Sequence, residues 1–227
     1  ERLGERIALP KNRELAEFAQ AFNDMGVALF DERASLEERV AERTAELAEA
    51  NKKLEILSNL DGLTGLPNRR KFDVFYQSAW QQACDEAQPL AVILMDVDWF
   101  KDLNDQYGHQ AGDDALAAVA KCIGDNIRRP LDHAARYGGE EFIVVLPDTT
   151  PEGAASVAEI IRSAISDLGI EHSGSEFGHV TASIGAATWT PEEDSEVSAV
   201  IRVADEALYA AKATGRNKVE LSPVHTS

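Results

Sequence analysis

Arg136-Tyr137-Gly138-Gly139-Glu140-Glu141-Phe142 places two glycines and two carboxylates side by side between short β-like segments. Adjacent glycines make a tight turn in which no side chain keeps a ligand from the backbone. Glu140 and Glu141 supply the hard oxygen ligands that a divalent cation takes. A turn open to a triphosphate, with acids beside it, reads as a metal–nucleotide site. Taken alone, the run reads equally well as a hairpin with solvated acids.

Asp96 and Asp98 end the apolar run Leu90–Val97. A carboxylate at the end of a buried strand, facing a glycine turn, can hold Mg2+ beside a phosphate. Asp96 is expected to be the direct ligand, with the Val97 carbonyl beside it. Asp98 shares its face only if the strand persists that far; the preferred reading makes it the N-cap of a turn at Trp99-Phe100. Asn104 and Asp113 carry an amide and a carboxylate, which together suit guanine. A carboxylate accepts from N1–H and the 2-amino group, which adenine cannot offer in that pattern. Read singly, Asn104 is a turn former and Asp113 a helix N-cap. Lys101, Lys212 and Arg216 are cations available to phosphates. The last two also sit where cations offset a helix dipole.

These residues need a scaffold, and the chain divides into two regions of different grammar. Residues 1 to about 60 are helical in pattern and rich in charge. Leu36, Val40, Leu47, Ala50, Leu54 and Leu57 fall on one seam with a seven-residue period, interrupted by Arg43. That pattern predicts a parallel dimeric coiled coil over 31–60. From Asp61 onward, glycines and a proline break the helix, and Asn68 caps a new one over about 69–86. The expected order continues with a buried strand at 90–97, a helix at 113–128, and a strand to Tyr137. After the Gly-Gly turn come a strand at 142–146, a helix at 151–168 and a strand at 179–188. A helix at 195–213 and a strand at 218–221 end the domain. The hairpin makes the sheet at least partly antiparallel, so the fold class is α+β, a mixed sheet wrapped by helices, with an N-terminal helical stalk.

Composition limits the partners. The 227-residue chain carries a net charge of -18, which repels nucleic-acid backbones and anionic lipid alike. Cys84 and Cys122 show neither metal-ligand nor disulfide spacing, which favours a reduced compartment. No apolar run approaches bilayer length.

Four motifs occur in order: Asp61-x-Leu-Thr-Gly-Leu-x-Asn-Arg-Arg; Asp96-Val97-Asp98-x-Phe100-Lys101-x-x-Asn104-Asp105-x-x-Gly108-His109-x-x-Gly112-Asp113; Arg136-Tyr137-Gly138-Gly139-Glu140-Glu141-Phe142; and Ala204-Asp205-x-Ala207-Leu208-Tyr209-x-Ala211-Lys212-x-x-Gly215-Arg216-Asn217. Together they resemble the GGDEF-domain diguanylate cyclases over about residues 58–222. The resemblance implies a nucleotidyl cyclase or polymerase palm-like fold that joins two GTP into cyclic di-GMP with release of two pyrophosphates. It further implies that Asp96, the Val97 carbonyl and Glu140 bind two Mg2+ per active site, with Mn2+ as a substitute. Glu141 is then a further ligand or proton acceptor, and Gly138 and Gly139 admit the GTP. Asn104 and Asp113 read guanine, while Lys101, Lys212 and Arg216 hold the β- and γ-phosphates. Each domain would hold one GTP, so a homodimer joined through the coiled coil completes the site. Arg129-Pro130-Leu131-Asp132 matches the Arg-x-x-Asp pattern that binds cyclic di-GMP for feedback inhibition in this family. The second arginine of such a site is left open, with Arg162 as one candidate.

Residues 1–30 resemble the second half of a HAMP signalling module, through Arg6-Ile7-Ala8-Leu9-Pro10 and Phe22-Asn23-Asp24-Met25. That implies domains at 1–30 (partial HAMP), 31–60 (coiled-coil helix) and 61–222 (GGDEF), with a tail at 223–227. It also implies the cytoplasmic part of a bacterial inner-membrane sensor, whose only link to the membrane is an upstream segment. Two rival functions stand beside the cyclase. One is a GGDEF domain kept only to bind GTP or cyclic di-GMP, against which the intact acids and cations argue. The other is a mononucleotide purine cyclase, which would need a different acid pattern.

Overall fold

The computed structural model describes residues 8, 13–127, 129–192, 195–222 and 225–226; within the first helix the side chains of 13–15, 41, 45 and 47–58 lie outside that description. The chain divides into two units, Glu1–Ile56 and Leu57–Ser227. The first is dominated by helix α1 (Arg13–Asn59), 47 residues long. Its exposed ion pairs Arg33–Glu37 and Arg43–Glu46 follow helical spacing. Of the heptad seam, Leu36 and Val40 stand exposed on the single chain; the side chains of Leu47, Ala50, Leu54 and Leu57 lie outside the described residues, as do Arg6, Ile7, Leu9 and Pro10 of the HAMP-like segment.

The second unit contains α2 (Arg69–Glu86), β1 (Leu90–Val97), α3 (Phe100–Tyr107), α4 (His109–Asn126), β2 (His133–Gly138) and β3 (Glu141–Pro147). It continues with α5 (Pro151–Asp167), β4 (Ala182–Thr190), α6 (Ala199–Ala213), β5 (Val219–Leu221) and β6 (His225–Thr226). The sheet order is β2-β3-β1-β4-β5, with β6 paired to β4. Strand β1 pairs antiparallel with β3 and β4, whereas β4 pairs parallel with β5, so the sheet is mixed.

The near-continuous apolar character of β1 follows from its two covered faces. Ala91, Ile93, Met95 and Val97 face one core, shared with Leu116, Val119 and Ile123 of α4 and Ala158, Ile161 and Ile165 of α5. Leu90, Val92 and Leu94 face the other, with Phe72, Tyr76 and Trp80 of α2 and Val200, Ala204 and Leu208 of α6. Helix α6 lies so close to β4 that a Cβ at Gly185 would stand 2.2 Å from both the Ala204 carbonyl oxygen and the Leu208 nitrogen. Glycine is therefore what seats α6, the helix that carries Lys212, onto the sheet.

Several boundaries differ from the sequence reading. Residues 100–107 form a helix rather than a turn, and α4 starts at His109, not at 113. Gly108, at φ +86, separates the two helices by a single residue, so Asp113 lies inside α4 and caps nothing. Strand β4 begins at 182, because the Glu171–His179 bridge closes a separate loop ahead of it. Helix α6 begins at 199, after a turn in which the Ser195 hydroxyl accepts from the Glu192 N–H.

Candidate active site

The Gly-Gly turn joins β2 to β3 and carries a bulge: Arg136 pairs with Phe142, and Gly138 with Glu141. Bulges of this kind re-aim side chains next to sites. Gly139 is left-handed at φ +47, a conformation that glycine adopts without cost. Arg136 clamps the turn by donating through Nε and Nη2 to the Gly139 carbonyl at 2.9 and 2.7 Å. Its Nη1 donates to Asp61 Oδ1 at 3.0 Å, which ties the hairpin to the opening turn of the domain. Asp61 also accepts from the Thr64 N–H and hydroxyl. Burial pushes the Asp61 carboxyl up, but the Thr64 and Arg136 contacts outweigh it and hold the group below its usual value. Neither Asp61 nor Arg136 had an assigned role in the sequence reading, although both lie in the quoted motifs.

Register explains the clustering of acids. Asp96 pairs with Glu141 on one side and Ser183 on the other. Directly paired residues share a face, and by alternation this is the face of Leu94, Ile143 and α6. From α6, Lys212 Nζ reaches Asp96 Oδ2 at 2.8 Å. Burial raises the Asp96 carboxyl to about 6; Lys212 opposes the rise, and Glu140 and Glu141 add to it. The Val97 N–H donates to the Glu140 carbonyl at 3.3 Å, which brings the turn against the strand end.

Among the described residues no group of three His, Cys, Asp or Glu forms a ready-made metal cage. The donor set still fits Mg2+, which keeps several waters and binds through one or two carboxylates plus substrate phosphates. The mutual repulsion of Asp96, Glu140 and Glu141 is the electrostatic signature of a place that a cation would relieve.

Asp98 is not a helix cap. Trp99 holds the N-cap position of α3, with no side-chain cap bond. Asp98 is instead buried, and accepts from the Thr181 hydroxyl at 2.7 Å, the Ser183 hydroxyl at 2.6 Å and the Asn217 N–H at 3.1 Å. Arg216 lies beside it, its guanidinium 4.5 Å from the centre of the Trp99 ring. Trp99 is left-handed at φ +51, a costly state for a bulky residue. Its carbonyl is within 3.2 Å of Nε2 of the fully buried His172, and its ring packs on Phe177. The sequence carried no signal for His172.

On α3, Lys101 is exposed in the first turn and Asn104 is half-buried. The Asn104 amide lies over Gly112, where a Cβ would stand 2.0 Å from Asn104 Oδ1. Gly112 therefore opens the space that the amide fills, next to Asp113. Arg129 and Asp132 lie before β2, at the end opposite the Gly-Gly turn. The six residues of β2 put this pair about 17 Å from the Gly-Gly turn along the strand. Arg129 makes a forked pair with Asp132, donating through Nε at 3.0 Å and Nη2 at 2.7 Å. The same guanidinium reaches the Pro147 carbonyl and the Thr149 hydroxyl. Arg129, Asp132, Asn126, Val157 and Ile160 line a cavity of about 280 Å³. Arg162 is engaged elsewhere, with Glu159 and the Asn217 side chain.

Residues 58–218 match the family model for the diguanylate cyclase GGDEF domain. The chain is 43% identical over 169 residues to an uncharacterised protein, YhcK, of Bacillus subtilis, covering 74% of this chain and 46% of that protein. It is 40% identical over 162 residues to diguanylate cyclase DosC of Escherichia coli, covering 71% of this chain and 35% of DosC. It thus spans about a third to a half of the length of these curated relatives. Among solved structures, the coiled coil and GGDEF domain of DgcB from Caulobacter crescentus, in complex with c-di-GMP, aligns with a TM-score of 0.73. That match is at 35% identity and covers 83% of this chain and all of the other. The chain belongs to the GGDEF-domain diguanylate cyclase family.

Proposed function

We propose that this protein is a diguanylate cyclase that condenses two GTP into cyclic di-GMP and releases two pyrophosphates. The observation that carries this reading is the register that sets Glu141 opposite Asp96, with Lys212 closing on Asp96 from α6. Asp96, Glu140 and the Val97 carbonyl would hold Mg2+. When bound, the metal lowers the pKa of the attacking hydroxyl and offsets charge on the leaving group.

The protein's own residues do the rest. Gly138 and Gly139 leave the backbone open to the triphosphate. Lys101, Lys212 and Arg216 hold the β- and γ-phosphates, and fix the pyrophosphate as it leaves. Asn104 and Asp113 orient guanine, so that each GTP presents its 3′-hydroxyl outward. That oxygen attacks the α-phosphorus of the GTP on the facing domain, and the bond to the pyrophosphate oxygen breaks. Glu141 accepts the hydroxyl proton or completes the metal's ligand set. A second such event closes the ring.

Because one domain holds one half-site, the active form is a homodimer. Leu36 and Val40, exposed on the single helix, supply the seam for a parallel coiled coil that raises the local concentration of the second half. Arg129 and Asp132, with the cavity they line, support a site for cyclic di-GMP as feedback inhibitor. The resemblance of residues 1–30 to a HAMP module supports a cytoplasmic output domain in a membrane sensor. Among the described residues no helix is long and apolar enough to cross a membrane.

Comparison of Glu141→Ala with the parent chain tests the reading. Cyclic di-GMP formation should fall by about 10²-fold or more with the circular dichroism unchanged. A variant that retains full turnover removes the hairpin from the chemistry.

A further inference from the structure

Asp98 stands two residues past Asp96, but the two carboxylates face different partners. Asp96 meets Lys212. Asp98 is inaccessible, and joins three segments: the end of β1, the start of β4 through Thr181 and Ser183, and the loop after α6 through Asn217. That loop is unusual. Gly215, Arg216 and Asn217 lie at φ +114, +58 and +43, three left-handed residues in succession. Non-glycine residues visit this region singly and at a cost, so a neighbour must impose it. The Asn217 N–H donates to Asp98, and the Asn217 side chain accepts from Arg162, so both the backbone and the side chain are held. Arg216 is the middle residue of this left-handed run. Its guanidinium lies over Trp99, and its Nε is 3.9 Å from Asp98 Oδ1.

We propose that Asp98 is a positioning residue for the triphosphate: by fixing the left-handed loop at Asn217 it sets the place from which Arg216 reaches the β- and γ-phosphates. This rests on the reading of Arg216 as a phosphate ligand. It makes one strand end the common reference for two functions, since Asp96 presents the metal-binding carboxylate and Asp98 locates the phosphate-binding cation. An apolar residue could fill a buried position of this size without the desolvation cost of a carboxylate. The carboxylate is what the loop's N–H and the two hydroxyls require.

The test uses the full chain with Mg2+ and two probes, GMP and a GTP analogue with an α,β-methylene bridge that cannot be turned over. Asp98→Asn is expected to weaken the triphosphate about tenfold, the equivalent of one charge-assisted contact, and to leave GMP binding within about twofold of the parent. Arg216→Ala should do the same, and the double variant should be no weaker than the weaker single, because both act on one contact. Parallel loss of GMP binding, or losses that multiply in the double variant, overturns the proposal. If Arg216→Ala itself keeps the parent's ratio of the two affinities, the phosphate assignment of Arg216 falls, whatever Asp98 does. Should Asp98→Asn fail to fold, Ser183→Ala leaves the carboxylate and removes one of its braces. It should shift the same ratio about twofold to threefold; an unchanged ratio counts against the proposal.

Discussion

Lys212 Nζ lies 2.8 Å from Asp96 Oδ2, so a cation from the last helix rests on the carboxylate that ends the central strand. This pair offsets part of the charge that Asp96, Glu140 and Glu141 concentrate at the turn. In the proposed reaction the same ammonium holds the substrate's phosphates.

A pH dependence follows from Asp96. Its carboxyl is raised from 3.8 to about 6, so the metal-free folded state holds this proton more tightly than the unfolded chain does. The contribution is fully present below about pH 4 and is lost as pH rises through 6, amounting to about 3 kcal/mol. Thermal melts in chelator should show Asp96→Asn losing less stability than the parent between pH 4 and 6.5. Added Mg2+ should recover stability in the parent but not in the variant.

Gly185 has no room for a side chain beneath α6. Gly185→Ala should cost about 2–3 kcal/mol in urea unfolding. It should also lower turnover, because α6 carries Lys212. An unchanged unfolding midpoint would mean that α6 does not sit where it is placed here.

The fold was legible wherever one face decided the pattern. β1 was expected at 90–97 and is found there, because both its faces are covered and its run is apolar throughout. α2 was expected at 69–86, because Asn68 announces its start. α3 has no clear local signal, since it spans eight residues, follows a left-handed Trp99 and lacks a side-chain cap. The place of Asp98 differs from the expected N-cap because its partners Thr181, Ser183 and Asn217 lie 83, 85 and 119 residues away, beyond the reach of any local pattern. Asp96 and the Gly-Gly-Glu-Glu turn stand out in sequence because each falls within a single motif, whereas their meeting depends on the β1–β3 register. The packing of Asn104 over Gly112 needed the meeting of two helices.

Arg129 bridges Asp132, the Pro147 carbonyl and Thr149 at the far end of β2 from the turn. Arg129→Ala should leave the initial rate within about twofold, and should raise activity at high product by about tenfold, the equivalent of one lost charged contact. Rates measured with added cyclic di-GMP decide this. Inhibition that persists unchanged would reduce Arg129 and Asp132 to a surface pair.

Leu36 and Val40 are exposed on α1 and belong to the proposed seam. Replacing both with glutamate should make the specific activity rise with protein concentration over a range where the parent's is flat. Sedimentation at the same concentrations should show the monomer. Equal activity of parent and variant when both are dilute would rule the stalk out as the means of pairing.

The central claim is tested most directly by incubating the chain with GTP and Mg2+ and separating the products by chromatography. The account predicts cyclic di-GMP and pyrophosphate in a ratio of one to two. Pyrophosphate with a mononucleotide product, or with no cyclic di-GMP, would contradict it.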